Sequence, residues 1–194
     1  MDELHLIHPP PALPRIQRRT AELQFNMAGE ERTGSLLRAL AASKPGGRFL
    51  ELGTGTGVST AWLLDGMDAS SSSLVTVDVD AAFQRVAREE LGGDSRVEFI
   101  LEDAISYLDR QPAASFDLVF ADAMAGKYDG LETALAVVKP GGFYVVDDMV
   151  PQPNWPEGHA ARVEVLLGRM AALRDFVVAP MVWATGVVIA TRRL

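Results

Sequence analysis

Phe49-Leu50-Glu51-Leu52-Gly53-Thr54-Gly55-Thr56-Gly57-Val58-Ser59-Thr60 is the stretch on which the reading of the chain turns. A short β-prone run enters three alternating glycines, and a helix-compatible segment follows. Glycines at such a strand-to-helix turn let the backbone bend sharply and approach a ligand, with amide N–H groups of the helix start free to bind it. The spacing excludes one large class of nucleotide binders. A G-x-G-x-x-G dinucleotide fingerprint would need glycine at Val58 if counted from Gly53, or at Thr60 if counted from Gly55, and neither position has it.

Outward from this turn the pattern repeats. Apolar, β-rich runs at 49–52, 74–78, 97–101, 118–122, 143–147, 176–179 and 187–191 predict seven strands, with helices after Gly57, Ala81, Ala104, Tyr128 and His159. Strands alternating with helices point to βα units around a largely parallel sheet. Upstream, residues 15–42 predict helix with a break around Ala28-Gly29, closed by Lys44-Pro45-Gly46-Gly47. Residues 70–73 predict a short solvated turn. The chain reads as one domain over 1–194, with 1–45 a helical extension and 46–194 the core.

Glu51, Asp78, Asp122 and the pair Asp147-Asp148 stand at or just beyond the ends of four of the first five strands. Open α/β sheets bind ligands at the carboxyl ends of their strands, so these acids are expected to face one crevice. Net charge is −8, with 18 Lys plus Arg against 26 Asp plus Glu, which disfavours a phosphate backbone as partner. No cysteine is present, so disulfides, thiolate metal sites and a cysteine nucleophile are excluded. The acidic start and Pro9-Pro10-Pro11 do not read as an export signal, and the apolar stretch 177–190 is broken by Pro180, Thr185 and Gly186. A cytoplasmic protein outside the membrane is expected. His5 and His8, in the proline-rich start, are not read as catalytic.

The E-x-G-x-G-x-G arrangement resembles motif I of the class I S-adenosylmethionine-dependent methyltransferases. The resemblance implies a Rossmann-like three-layer sandwich with a seven-stranded mixed sheet, the last strand antiparallel, and S-adenosylmethionine as cofactor. It places Glu51 near the cofactor ammonium, with Gly53, Thr54 and Gly55 passing beneath the ligand. Asp78, followed by Val79, resembles the motif II acid that accepts bonds from both ribose hydroxyls, while Asp80 reads as the cap of the next helix. Asp103-Ala104 resembles the adenine-contacting pair, with Glu102 where the family has glycine.

Phe25-Asn26-Met27-Ala28-Gly29-Glu30 and Thr56-Gly57-Val58-Ser59-Thr60 narrow the resemblance to catechol-type and caffeoyl-CoA-type O-methyltransferases. It implies that the N-terminal segment, including Met27, closes over the cofactor and that Ser59 meets its carboxylate. Metal-dependent members bind Mg²⁺ through acids equivalent to Asp122, Asp147 and Asp148, though their last residue is Asn. They also carry a catalytic lysine at the position of Ala125; here Lys127 comes two residues later, either serving from a reshaped loop or standing in solvent. Met124 is expected near the adenine, Asp122 also at the cofactor, and Asp148 as metal ligand or base. Trp155 and His159 are candidates to shape an acceptor pocket, with His159 a candidate base. The expected reaction is O-methylation of a small-molecule hydroxyl. Metal-independent transfer to another small nucleophile and a non-catalytic cofactor-binding module stay open, and relatives in this branch are often homodimers.

Overall fold

The computed structural model describes residues 6–69 and 71–194; the expectations placed on residues 1–5, His5 included, and on Ser70 lie outside them. Two helices, α1 (Leu13–Glu22) and α2 (Glu31–Ala42), precede an alternating series. The series runs β1 (Arg48–Leu52), α3 (Val58–Gly66), β2 (Ser73–Asp78), α4 (Ala81–Leu91), β3 (Val97–Leu101), α5 (Ala104–Leu108), β4 (Phe116–Ala121), α6 (Leu131–Ala136) and β5 (Val138–Val146). Then follow α7 (His159–Ala171), β6 (Phe176–Met181) and β7 (Val187–Arg192). The strands form one sheet in the order β3-β2-β1-β4-β5-β7-β6. The first five pair in parallel, and β7 runs antiparallel to both β5 and β6, so the last strand is the reversed one, as expected.

Alternate residues of a strand face opposite sides of a sheet. Leu50 and Leu52 of β1 join one buried cluster with Val75, Val77 and Tyr144, whereas Phe49 joins the other with Trp62, Leu37 and Phe120. Helices therefore cover both faces, which is why the strands read as nearly continuous apolar runs. On the second face Trp62 packs directly onto Gly34 of α2, where a Cβ would come within 2.2 Å of the indole. The N-terminal helices are thus part of the core. Arg15 and Arg19 of α1 also reach Glu90 of α4, at 2.8 Å and 3.4 Å.

Three departures from the sequence reading bear on the architecture. The break between α1 and α2 spans residues 23–30, because Gln24 turns into the left-handed region at φ 53° and releases the chain to cross the sheet edge. Strand β5 begins at Val138, five residues early, because Val138 already pairs with Phe116 and Lys139-Pro140-Gly141-Gly142 bulge out before pairing resumes at Leu118 and Phe143. The solvated turn is shorter than expected, with Ser72 buried and Ser73 already in β2.

Candidate active site

The glycine loop joins β1 to α3 with Gly53, Gly55 and Gly57 all at positive φ (101°, 50° and 93°), a conformation that L side chains rarely adopt. Asp78, the last residue of β2, fixes this loop from the neighbouring strand: its Oδ2 accepts the Gly55 N–H at 2.7 Å and its Oδ1 the Asp80 N–H at 2.8 Å. Thr54 Oγ1 lies 2.6 Å from Thr76 Oγ1 and accepts from Gln84 Nε2 at 3.1 Å. The result is a cavity of about 410 Å³ over the carboxyl ends of β1, β2 and β4.

Of the residues expected at a cofactor, Met27, Gly53, Thr54, Gly55, Ser59, Asp78, Val79, Asp103, Ala104 and Asp122 all line this cavity. Glu51 does not. It points down from β1 and is fully buried beneath the loop, where its Oε2 accepts from Thr60 Oγ1 at 2.5 Å and Thr76 Oγ1 at 2.6 Å. Its Oε1 makes no hydrogen bond, although the Ser59 hydroxyl lies close enough to the carboxylate to favour its charged form. Burial, which disfavours the charged form, raises its pKa to about 7 against the hydroxyl bonds that lower it. Glu51 therefore lies beneath the glycine loop rather than in the cavity wall.

Asp80 caps α4 by accepting from Ala82 and Phe83 N–H groups, as expected. Asp103 lines the cavity but spends Oδ2 on capping α5, accepting from the Ser106 N–H at 2.8 Å and its hydroxyl at 3.0 Å. An aromatic pair adds to this lining, with Phe25 from the segment expected to close over the cofactor and Phe83 not anticipated from the sequence. Phe25, from the segment between α1 and α2, and Phe83 of α4 pack with ring centroids 4.4 Å apart. The β-to-helix pattern carries no signal for a pair so far apart in sequence.

A second cavity of about 420 Å³ adjoins the first and shares Met27, Ala28, Gly29, Asp122, Ala123 and Met124 with it. Its remaining polar lining includes Lys127, Tyr128, Asp147, Asp148, His159 and Thr185. His159 Nε2 lies 3.1 Å from Tyr128 Oη and 3.3 Å from Asp148 Oδ2, while Asp148 Oδ1 accepts the Trp155 indole N–H at 2.6 Å. Trp155 thus holds Asp148, which in turn faces the imidazole. Burial lowers the pKa of His159, opposed by Asp148, so the imidazole favours its neutral form. Asp122, following β4, is raised to about 8, first by burial and then by Asp147.

Lys127 does not stand in solvent but is turned into the wall of the second cavity. It is 3% exposed, and its ammonium donates to the Asp147 carbonyl oxygen at 2.5 Å. The inward turn depends on Gly126, whose φ is +82° and whose added Cβ would lie 2.3 Å from Leu52 Cδ1. Gly126→Ala is expected to destabilise the chain by about 1–3 kcal/mol, read as a lower urea midpoint at unchanged slope. An unchanged midpoint would show that the turn tolerates a side chain.

The residues expected to hold Mg²⁺, Asp122, Asp147 and Asp148, all line the second cavity. A hard divalent cation needs several oxygens directed at one point, yet among the described residues no three His, Asp or Glu side chains are grouped to hold a metal ion. Asp147 Oδ1 accepts from Thr185 Oγ1 at 2.6 Å and from the Asp148 N–H at 2.7 Å. Asp148, at φ 63°, is turned towards Trp155 and His159. With the Lys127 ammonium beside them, Asp147 and Asp148 direct their oxygens at protein partners rather than at one shared point.

Comparison with known proteins agrees with this architecture. A family model described as "Methyltransferase domain" matches residues 50–149, just over half of the chain. A Mycobacterium avium protein named "Putative O-methyltransferase" is 37% identical over 144 residues, covering 72% of this chain and 64% of its own. The chain thus spans less than two thirds of the length of that relative. Among solved structures, the O-methyltransferase TomG from Streptomyces achromogenes, in complex with SAM, superposes with TM-score 0.81 at 26% identity, covering 99% of this chain and 94% of that one. Cofactor-bound Rv0187 from MTB gives TM-score 0.82 at 25% identity, covering 98% and 94%. With the glycine loop, the sheet order and the reversed last strand in place, the chain belongs to the methyltransferase domain family.

Proposed function

We propose that this chain transfers a methyl group from S-adenosylmethionine to an oxygen of a small molecule held in the second cavity. The observation that carries the reading is Asp78, whose carboxylate gathers the glycine loop at the carboxyl edge of the sheet and stands in the cavity wall as an acceptor for ribose hydroxyls. The residues present fit the cofactor. Gly53 and Gly55 leave backbone exposed where an added Cβ would press on Ala123 and Phe25, and Glu51 Oε1 is a buried carboxylate oxygen with no hydrogen bond, suited to a nearby ammonium. S-adenosylmethionine has no pyrophosphate, which agrees with an acidic rather than basic site. The binding of SAM by TomG supports the same assignment.

When bound, the cofactor supplies an electrophilic methyl group on a sulfonium. The chain supplies position: the first cavity holds one partner, the second the other, and Asp122, Ala123 and Met124 form their common wall. His159, held by Asp148 and Tyr128, takes the proton of the acceptor hydroxyl as its oxygen becomes a nucleophile. The net charge of −8 supports a small-molecule acceptor over a nucleic acid. Among the described residues no helix is long and apolar enough to cross a membrane.

Titration calorimetry with S-adenosylhomocysteine, with NAD as control, tests the cofactor assignment, and a coupled assay of a phenol and carboxylate panel tests turnover. Binding of the homocysteine product but not NAD, with methylation of an oxygen acceptor, is expected. Failure to bind overturns the reading, and tight binding without transfer across the panel favours a non-catalytic module. The titration is also expected to depend on pH. Glu51, with its pKa at about 7, is increasingly protonated below that value and must ionise to meet the ammonium. Affinity therefore rises from pH 6 towards 7 and levels off above it, with proton release visible as a buffer-dependent enthalpy.

A further inference from the structure

We infer that the Lys127 ammonium takes the place of a divalent cation in the second cavity, so that the acceptor site of this chain works without metal. The inference rests on the methyltransferase reading for its purpose but on the geometry of Lys127 for its content. Gly126 turns the chain inward at positive φ, its carbonyl oxygen accepts from the buried Tyr144 hydroxyl at 2.5 Å, and the next residue is delivered into the interior. The ammonium donates one bond to the Asp147 carbonyl oxygen and lines the cavity wall beside Asp122, Asp147 and Asp148. Burial lowers the pKa of Lys127, and the neighbouring Asp122, Asp148 and Asp147 oppose that shift and favour its charged form.

An ammonium has three donors, of which the Asp147 carbonyl uses one. The others remain for an acceptor oxygen, the atom that a Lewis-acid cation would otherwise hold. A divalent ion placed among the same acids would meet a buried like charge, at short range and with little water to screen it. The acids themselves are turned to other work: Asp147 to Thr185 and the backbone, Asp148 to Trp155 and His159. Position and charge together make Lys127 a tethered cation. The acceptor class it suits is a hydroxyl acidic enough to be carried as an oxyanion, such as a phenol or enol, bound by one oxygen rather than by a chelating pair.

The test is a Mn²⁺ titration of the intact chain followed by electron paramagnetic resonance, with and without saturating S-adenosylhomocysteine. The expected result is no stoichiometric Mn²⁺ binding up to about 1 mM, the weak end of protein cation sites. Lys127→Met, which keeps the length and removes the charge, is expected to gain at least about tenfold in Mn²⁺ affinity as the acids lose their internal counter-charge. Lys127→Arg, which keeps the charge, is expected to exclude Mn²⁺ as the native chain does. One Mn²⁺ per native chain bound below about 1 mM overturns the inference, as does a Lys127→Met protein that takes up S-adenosylhomocysteine normally but no more Mn²⁺. Should Lys127→Met fail to fold, the native titration still decides. Loss of S-adenosylhomocysteine binding in the native chain would instead strike the methyltransferase reading, and the Mn²⁺ result would stand apart from it.

Discussion

His159→Ala is expected to lower turnover about 10²–10⁴-fold while leaving S-adenosylhomocysteine affinity within about twofold, because it removes a general base and touches nothing in the first cavity. The side chain begins α7 and is fixed from two sides, by Tyr128 Oη at 3.1 Å and Asp148 Oδ2 at 3.3 Å. Burial favours the neutral imidazole, the form that accepts a proton. Asp148 is a positioning residue in this arrangement, itself anchored by the Trp155 N–H. Asp148→Asn keeps an acceptor for Trp155 but removes the charge that steadies the protonated imidazole, so its loss should be smaller and should shift the acid limb of the pH–rate profile downward. Native turnover in His159→Ala would transfer the base role to Asp122 or Asp148 itself.

The second large effect concerns the cofactor. Asp78→Ala is expected to weaken S-adenosylhomocysteine binding about 10–100-fold by calorimetry, since bonds to a charged group contribute about 1.5–3 kcal/mol each. The carboxylate has two tasks that fall together: it holds the Gly55 and Asp80 N–H groups, and it offers acceptor capacity to the ribose. Asp78→Asn retains one acceptor oxygen and should lie between alanine and the native chain. Unchanged affinity in both variants would remove Asp78 from the site and with it the ribose assignment.

The sheet was legible because its strands are apolar on both faces and end in glycine turns or acids, as at Leu52-Gly53 and Val77-Asp78. The site was legible where it is local: ten of the eleven residues expected at the cofactor line the first cavity. Glu51 stands outside the cavity lining because strand alternation sends it to the face under α3, where Thr60 and Thr76 donate to one of its oxygens. Lys127 was undecidable from spacing, since its burial follows from a turn at Gly126 packed on Leu52, a residue of another strand. The same reason hid the change at Asp147 and Asp148. Motif matching aligns the acids, but whether their oxygens converge depends on Thr185, Trp155 and His159, which come from three later segments.

The two cavities meet along Met27, Ala28, Gly29, Asp122, Ala123 and Met124, with no secondary-structure element standing between them. For inhibitor chemistry this continuity is a geometric opening. A single molecule joining an adenosine-like head to an acidic phenol would occupy both chambers at once, and tethering converts the second contact into an intramolecular one. Such linkage commonly raises avidity by about 10²–10⁴-fold over either fragment. A fragment pair joined across Asp122 would therefore bind far more tightly than either part alone.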